Sequence, residues 1–328
     1  MLGAIAIALP YLPYPIDNPG DRTLYTLMGL SAMVAIGLSL LMGFAGQVSL
    51  GQGAFYALGA YTAGLLSVPE AFFANGFGLD PLVALVAAPL LTAAVAAVVG
   101  VPLLRLRGHY LAFATLALHL ILLSVIFGEE RLTGGQTGLI GVPALEVGGR
   151  TINGNLHTAV VWAFVLVCFV IAQNLVGSRA GRGLRAIATS EASAAASGVD
   201  VASYKLRLFV LAAGFAGLAG GLYTYLLLYL SPDAFTLLIS IEFVVMVAVG
   251  GLGSVSGAVL GAVVVTLLQY YLQKFGTRQE LFGLDLPIQT PTVARIGVYG
   301  LIFVLVMLFF PRGLLPALTG GARRLARR

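Results

Sequence analysis

Apolar runs of about 18 or more residues return repeatedly along this 328-residue chain, and each is long enough to cross a hydrocarbon layer as a helix. That feature leaves few folds open. Inside a bilayer every backbone N–H and C=O needs a partner, so only helices and closed barrels span it. A barrel would show short segments of alternating polarity, whereas these runs are continuous. Only 9% of the residues are charged, against roughly a quarter in soluble domains. The chain reads as an all-α polytopic membrane protein, one transmembrane unit with no soluble domain or linker.

About ten transmembrane helices are expected, with cores at 2–14, 24–42, 52–68, 81–104, 109–127, 156–176, 208–230, 236–252, 254–273 and 292–310. The first is short and starts almost at Met1; without a basic leader it reads as a span rather than a signal peptide. The eighth and ninth are separated by almost nothing. Placing the N-terminus in the cytoplasm and alternating sends Arg105, Arg107, Arg179, Arg182, Arg185, Lys205, Arg207, Arg312, Arg323, Arg324, Arg327 and Arg328 inside, 12 of the 18 Lys and Arg. That bias fits ten spans with both termini cytoplasmic. It also explains the net charge of +5 as topology, not as a nucleic-acid surface.

Between the sixth and seventh spans lies residues 177–207, GSRAGRGLRAIATSEASAAASGVDVASYKLR, with five basic residues. Ser178 is placed to cap a helix, Arg182 and Arg185 share a face, and Gly198 is placed to end it. Two readings fit: an ordinary basic cytoplasmic loop, or a short helix that docks on another protein.

Within the spans, GFAGQVSLGQGAFYALGAYTAG at 43–64 is the most unusual stretch. Gln47, Ser49 and Gln52 are polar side chains set among Gly43, Gly46, Gly51 and Gly53. A glycine-interrupted segment of this kind permits a broken helix whose freed backbone groups bind substrate. It equally fits a turn followed by a small-residue packing face at Gly59, Ala60, Ala63 and Gly64. A second stretch, GGLGSVSGAVLG at 250–261, repeats glycine every four residues at Gly253, Gly257 and Gly261, a packing stripe. Its Gly253-Ser254-Val255-Ser256 resembles Gly46-Gln47-Val48-Ser49. Glu242 is the one carboxylate in a strongly apolar span, and such residues are often functional. His119, alone on an apolar helix, reads as a packed, hydrogen-bonded residue.

No phosphate loop of the G-x-x-x-x-G-K-[ST] type is present, nor a zinc ligand set, nor a Ser/His/Asp grouping, so no catalytic site is expected. The single cysteine, Cys168, excludes a disulfide within the chain.

The residues resemble a family. GLSLLMGFAGQVSLGQGAFYALGAYTAGLL at 37–66, RLRGHYLAFATLAL at 105–118, TGGQTGLIGVP at 133–143, residues 178–223, residues 231–262 and FFPRGLL at 309–315 are together similar to the permease subunits of bacterial ABC importers for branched-chain amino acids, of the LivM type. The resemblance implies ABC importer permease architecture in the bacterial inner membrane, and the polar residues already singled out, Gln47, Ser49, Gln52, Glu242 and Ser254, are the candidates for its translocation path. It implies that 177–207 is a coupling segment, with Arg182, Arg185, Ser190, Glu191 and Gly198 against an ATPase subunit. It further implies two ABC ATPase subunits that use the ATP, a second permease of the LivH type and a periplasmic binding protein, with no cofactor held by this chain. The family's Glu-Ala-Ala followed after three residues by Gly is altered here: Glu191-Ala192-Ser193 precedes Gly198, one place late. Urea or short-chain amide permeases share much of the pattern. An ion-coupled secondary transporter is the alternative from another class, and the sparse intramembrane charge argues against it.

Overall fold

The computed structural model describes residues 19–69, 76–106, 108–147 and 149–276, with single residues and short stretches between 280 and 315. The main helices are α1 (Pro19–Phe44), α2 (Gln52–Ser67), α3 (Pro81–Leu103), α4 (His109–Gly128), α5 (Glu130–Thr133), α6 (Gly154–Gly177), α7 (Arg179–Thr189), α8 (Glu191–Ala196), α9 (Val201–Leu227), α10 (Leu237–Gly250) and α11 (Val255–Gly276). Among the described residues, six helices (α1, α3, α4, α6, α9 and α11) are long and apolar enough to cross a membrane. The expected spans at 2–14 and, for the most part, 292–310 lie outside the described residues, as does the basic tail from 316 onward. The helix expected from 208 begins seven residues earlier, because Asp200 caps it by accepting from the Ser203 N–H.

Helix α1 is apolar around its circumference and lies in the centre, largely buried, as such a helix must. Around it pack α6, α9, α10 and α11, and α9 in turn packs along α2 and α3. These contacts are made by small residues. A Cβ on Gly59 would overlap the Gly217 carbonyl, and one on Gly220 would overlap the Tyr56 carbonyl, so α2 and α9 run backbone against backbone. Helices α3, α4 and α6 turn mostly outward. Their exposed Val86, Leu90, Ile121, Val167 and Val170 form an apolar surface of the kind a bilayer solvates.

The segments at one end of the bundle are tied to each other as well as to the helix ends. A short hairpin pairs β1 (Glu146–Val147) with β2 (Arg150–Thr151), Leu139 bridges to Leu230, and the Tyr229 hydroxyl donates to the Thr137 carbonyl. At the opposite end α7 and α8 project beyond the spans.

Candidate functional site

Two regions carry the polar chemistry: a break inside the bundle and the basic pair of helices at its end. The break follows from residues 45–51, where the chain leaves α1 and runs without helical structure before α2 begins. Gly46 makes this exit possible, since its φ of +64° is left-handed. Burial then alternates as in an extended strand: Ala45, Gln47, Ser49 and Gly51 face inward, whereas Gly46 and Val48 are exposed.

The depth of the break is set by its partners. Thr115 Oγ1 accepts from the Leu50 N–H at 3.0 Å, and Ser240 Oγ accepts from the Gly53 N–H at 2.8 Å. His119 Nδ1 lies 2.8 Å from Ser240 Oγ, and its Nε2 lies 2.9 Å from the Phe235 carbonyl. A carbonyl only accepts, so Nε2 carries the proton and Nδ1 accepts from the Ser240 hydroxyl. Every member of this buried chain is therefore satisfied, which also gives His119 the packed, hydrogen-bonded role expected of it. His119 stands halfway along α4, about 15 Å from its start at a rise of ~1.5 Å per residue. The first turn of α2 thus lies at mid-depth, and so does the first turn of α10. With 16 and 14 residues, neither helix is long enough to cross alone. Two shorter helices, α2 and α10, place their N-terminal turns side by side in the middle of the bundle.

Gln47 and Gln52 are 3% and 0% exposed, and neither side-chain amide has a hydrogen-bond partner among the described residues. Ser49 Oγ accepts weakly from the Gly51 N–H. Of the other expected path residues, Glu242 is half-buried in the second turn of α10, and Ser254 Oγ accepts from the Gly257 N–H at the start of α11. The two glycine-rich stretches touch: a Cβ on Gly43 would overlap the Gly253 nitrogen. Gly257 and Gly261 face Gly250 and Met246 across the α10–α11 hairpin, whereas Gly253 stands in the turn with φ +77° instead of on the helix stripe.

The basic region differs from the expected single helix. Ser190 adopts an extended backbone and splits it into α7 and α8, because its side chain accepts from the Ser193 N–H and starts a new helix. Ser178 caps α7 in the same way through the Gly181 N–H. Gly198, at φ +83°, closes α8: its N–H donates to Ala195 and that of Val199 to Ala194, the paired bonds of a Schellman motif. Leu184 and Ile187 are buried while Arg179, Arg182 and Arg185 are exposed, so α7 is amphipathic with a cationic outer face. Arg185 Nη2 also donates to the Val176 carbonyl, one of the orphan acceptors at the end of α6. Glu191, part-exposed at the first position of α8, pairs with Lys205, whose side chain is buried. Gly46 lies against Ala188, so the break and the basic helices adjoin.

A family model for the branched-chain amino acid transport system / permease component matches residues 22–310. The chain belongs to that permease family. It is 29% identical over 95% of its length to the high-affinity branched-chain amino acid transport system permease protein LivM of Salmonella typhimurium, and 28% identical to that of Escherichia coli, covering 73% of each. A probable LivH permease of Methanocaldococcus jannaschii is 29% identical over 83% of this chain and 89% of its own. No solved structure matches it. The multi-helix apolar fold is what such a membrane permease requires.

Proposed function

We propose that this permease is the membrane-spanning subunit of an ATP-driven importer that carries leucine, isoleucine and valine across a bacterial inner membrane. The observation that carries the reading is the pair α7–α8. It is an amphipathic, separately capped element that projects from the bundle, shows three arginines outward and adjoins the break at Gly46. In this reading the pair is cytoplasmic and is held by one of two ABC ATPase subunits, which bind the ATP. A second permease of the LivH type completes the path and a periplasmic binding protein delivers substrate to the opposite end. Substrate passes along the break, where the exposed Val48 edge suits an aliphatic side chain and the Gln47 and Gln52 amides suit its polar end. Glu242 stands on α10 and Ser254 immediately before α11. Alternating access requires the two states to differ in contacts at α7–α8.

Charge reversal on the outer face tests the docking directly. Arg182→Glu is expected to reach the membrane in normal amount and to lose co-purification with the ATPase subunits. Retention of those subunits at the native ratio would overturn the assignment of α7–α8 as the docking element.

A further inference from the structure

Helix α9 has two unlike halves. From Ala212 onward it packs at backbone distance: a Cβ on Gly37 would meet the Ala212 backbone at 3.0 Å, and Gly217 and Gly220 lie against α3 and α2. Its first two turns, by contrast, touch their neighbours through side chains, Leu206 against Gly100 and Tyr204 against Gly183, and stand between two cavities. One of about 270 Å³ is lined by Leu175, Leu184, Tyr204, Arg207 and Leu211; the other, about 240 Å³, by Val101, Arg105, Ser203 and Leu206. The start of α9 is thus held by side chains beside open space, not by backbone-to-backbone contact. A charge adds to the Asp200 cap there: the Lys205 ammonium, with its side chain 9% exposed, donates to the Glu191 carboxylate at the first position of α8. Helix α8 is otherwise lightly anchored, with Ala194 its one buried residue.

We infer that the Lys205–Glu191 pair is the strut that carries movement of the basic helices into α9, making both of them positioning residues for transport. The inference rests on the reading of α7–α8 as the ATPase-docking element. A desolvated ammonium held by a single carboxylate does not release it cheaply, so a displacement of α8 draws Lys205 with it. The cavities on either side leave room for the first turns of α9 to follow. From Ala212 onward the tight glycine contacts pass the displacement to α2, whose first turn carries the Gly53–Ser240–His119 chain. Glu191 thereby serves the interior of this chain, while the outward arginines serve the partner.

The test uses the complete complex, with leucine uptake and ATP hydrolysis measured together in proteoliposomes. Lys205→Met is expected to lower leucine transported per ATP hydrolysed about five- to tenfold. Lys205→Arg should retain most of the wild-type ratio, and the exchange Lys205→Glu with Glu191→Lys should recover much of the loss. A merely structural role would reduce the amount of assembled complex without changing the ratio per assembled complex. A wild-type ratio in Lys205→Met, or an exchanged pair no better than Lys205→Glu alone, would overturn the inference. Should Lys205→Met not assemble, Glu191→Gln, at the more exposed end, gives the same reading: a lowered ratio supports the strut and a wild-type ratio overturns it. If the wild-type complex shows no ATP-dependent uptake, the docking reading fails instead.

Discussion

His119 and Ser240, 121 positions apart in sequence, meet at 2.8 Å between Nδ1 and Oγ, and this contact joins α4 to the first turn of α10 at the depth where α2 begins. The serine works in both directions, accepting from Gly53 and donating to His119. Ser240→Ala removes both bonds and leaves two buried polar groups unpaired. It is expected to destabilise the protein by about 1–3 kcal/mol, seen as a lowered Tm in detergent. His119→Phe should be non-additive with it; fully additive losses would mean that the two side chains do not act on each other.

The small-residue contacts predict a contrast between two glycines. Gly59→Ala sets a methyl group into the Gly217 carbonyl and forces α2 and α9 apart, at a cost of about 1–3 kcal/mol. Gly177→Ala, at the end of α6 with nothing within 4 Å of the added atom, should be neutral or slightly stabilising. Thermal unfolding of the two variants side by side checks this.

Gly198 poses a different constraint. Space around it is open, so what excludes a side chain is its left-handed backbone. Gly198→Ala should cost about 1–2 kcal/mol, and Gly198→Asn less. Protease sensitivity confined to residues 190–200 is the expected readout for the alanine variant, with the spans unaffected.

Asp200 ties α9 to solution pH. Hydrogen bonds from the Ser203 side chain and backbone hold its carboxyl below the usual carboxylate value. A folded-state value below the unfolded one means that the contribution is present above the ordinary Asp range and is lost as pH falls through the lowered value. Asp200→Asn keeps an acceptor for the cap without the titration. Protection of the amides at the start of α9, taken relative to their intrinsic exchange rate at each pH, should therefore fall on acidification in the wild type and stay flat in the asparagine variant.

Much of this arrangement was legible in the sequence, because length and apolarity alone specify a membrane helix. The expected cores at 24–42, 81–104, 109–127 and 156–176 fall on α1, α3, α4 and α6 within a few residues. Ser178 and Gly198 were readable as the two ends of the basic segment for a local reason: one supplies a side-chain acceptor, the other a left-handed backbone. The break at Ser190 was not, since serine serves inside a helix as well as at its start, and only the extended backbone decides. Pairings across long separations left no local trace. Nothing near Lys205 signals Glu191, and nothing in the apolar run around His119 signals Ser240. Gln47 and Ser49 were legible as polar residues at a break, but their direction was not. Strand-like alternation turns them inward and leaves Val48 at the surface.

The central claim is that this permease moves branched-chain amino acids with energy received from separate ATPase subunits through α7 and α8. Uptake of labelled leucine into proteoliposomes holding the chain with its candidate ATPase, second permease and binding protein tests that claim most directly. Leucine should accumulate only with ATP and the full set of subunits, and Arg182→Glu should abolish it. Accumulation by this chain alone, driven by an ion gradient and indifferent to ATP, would contradict the account.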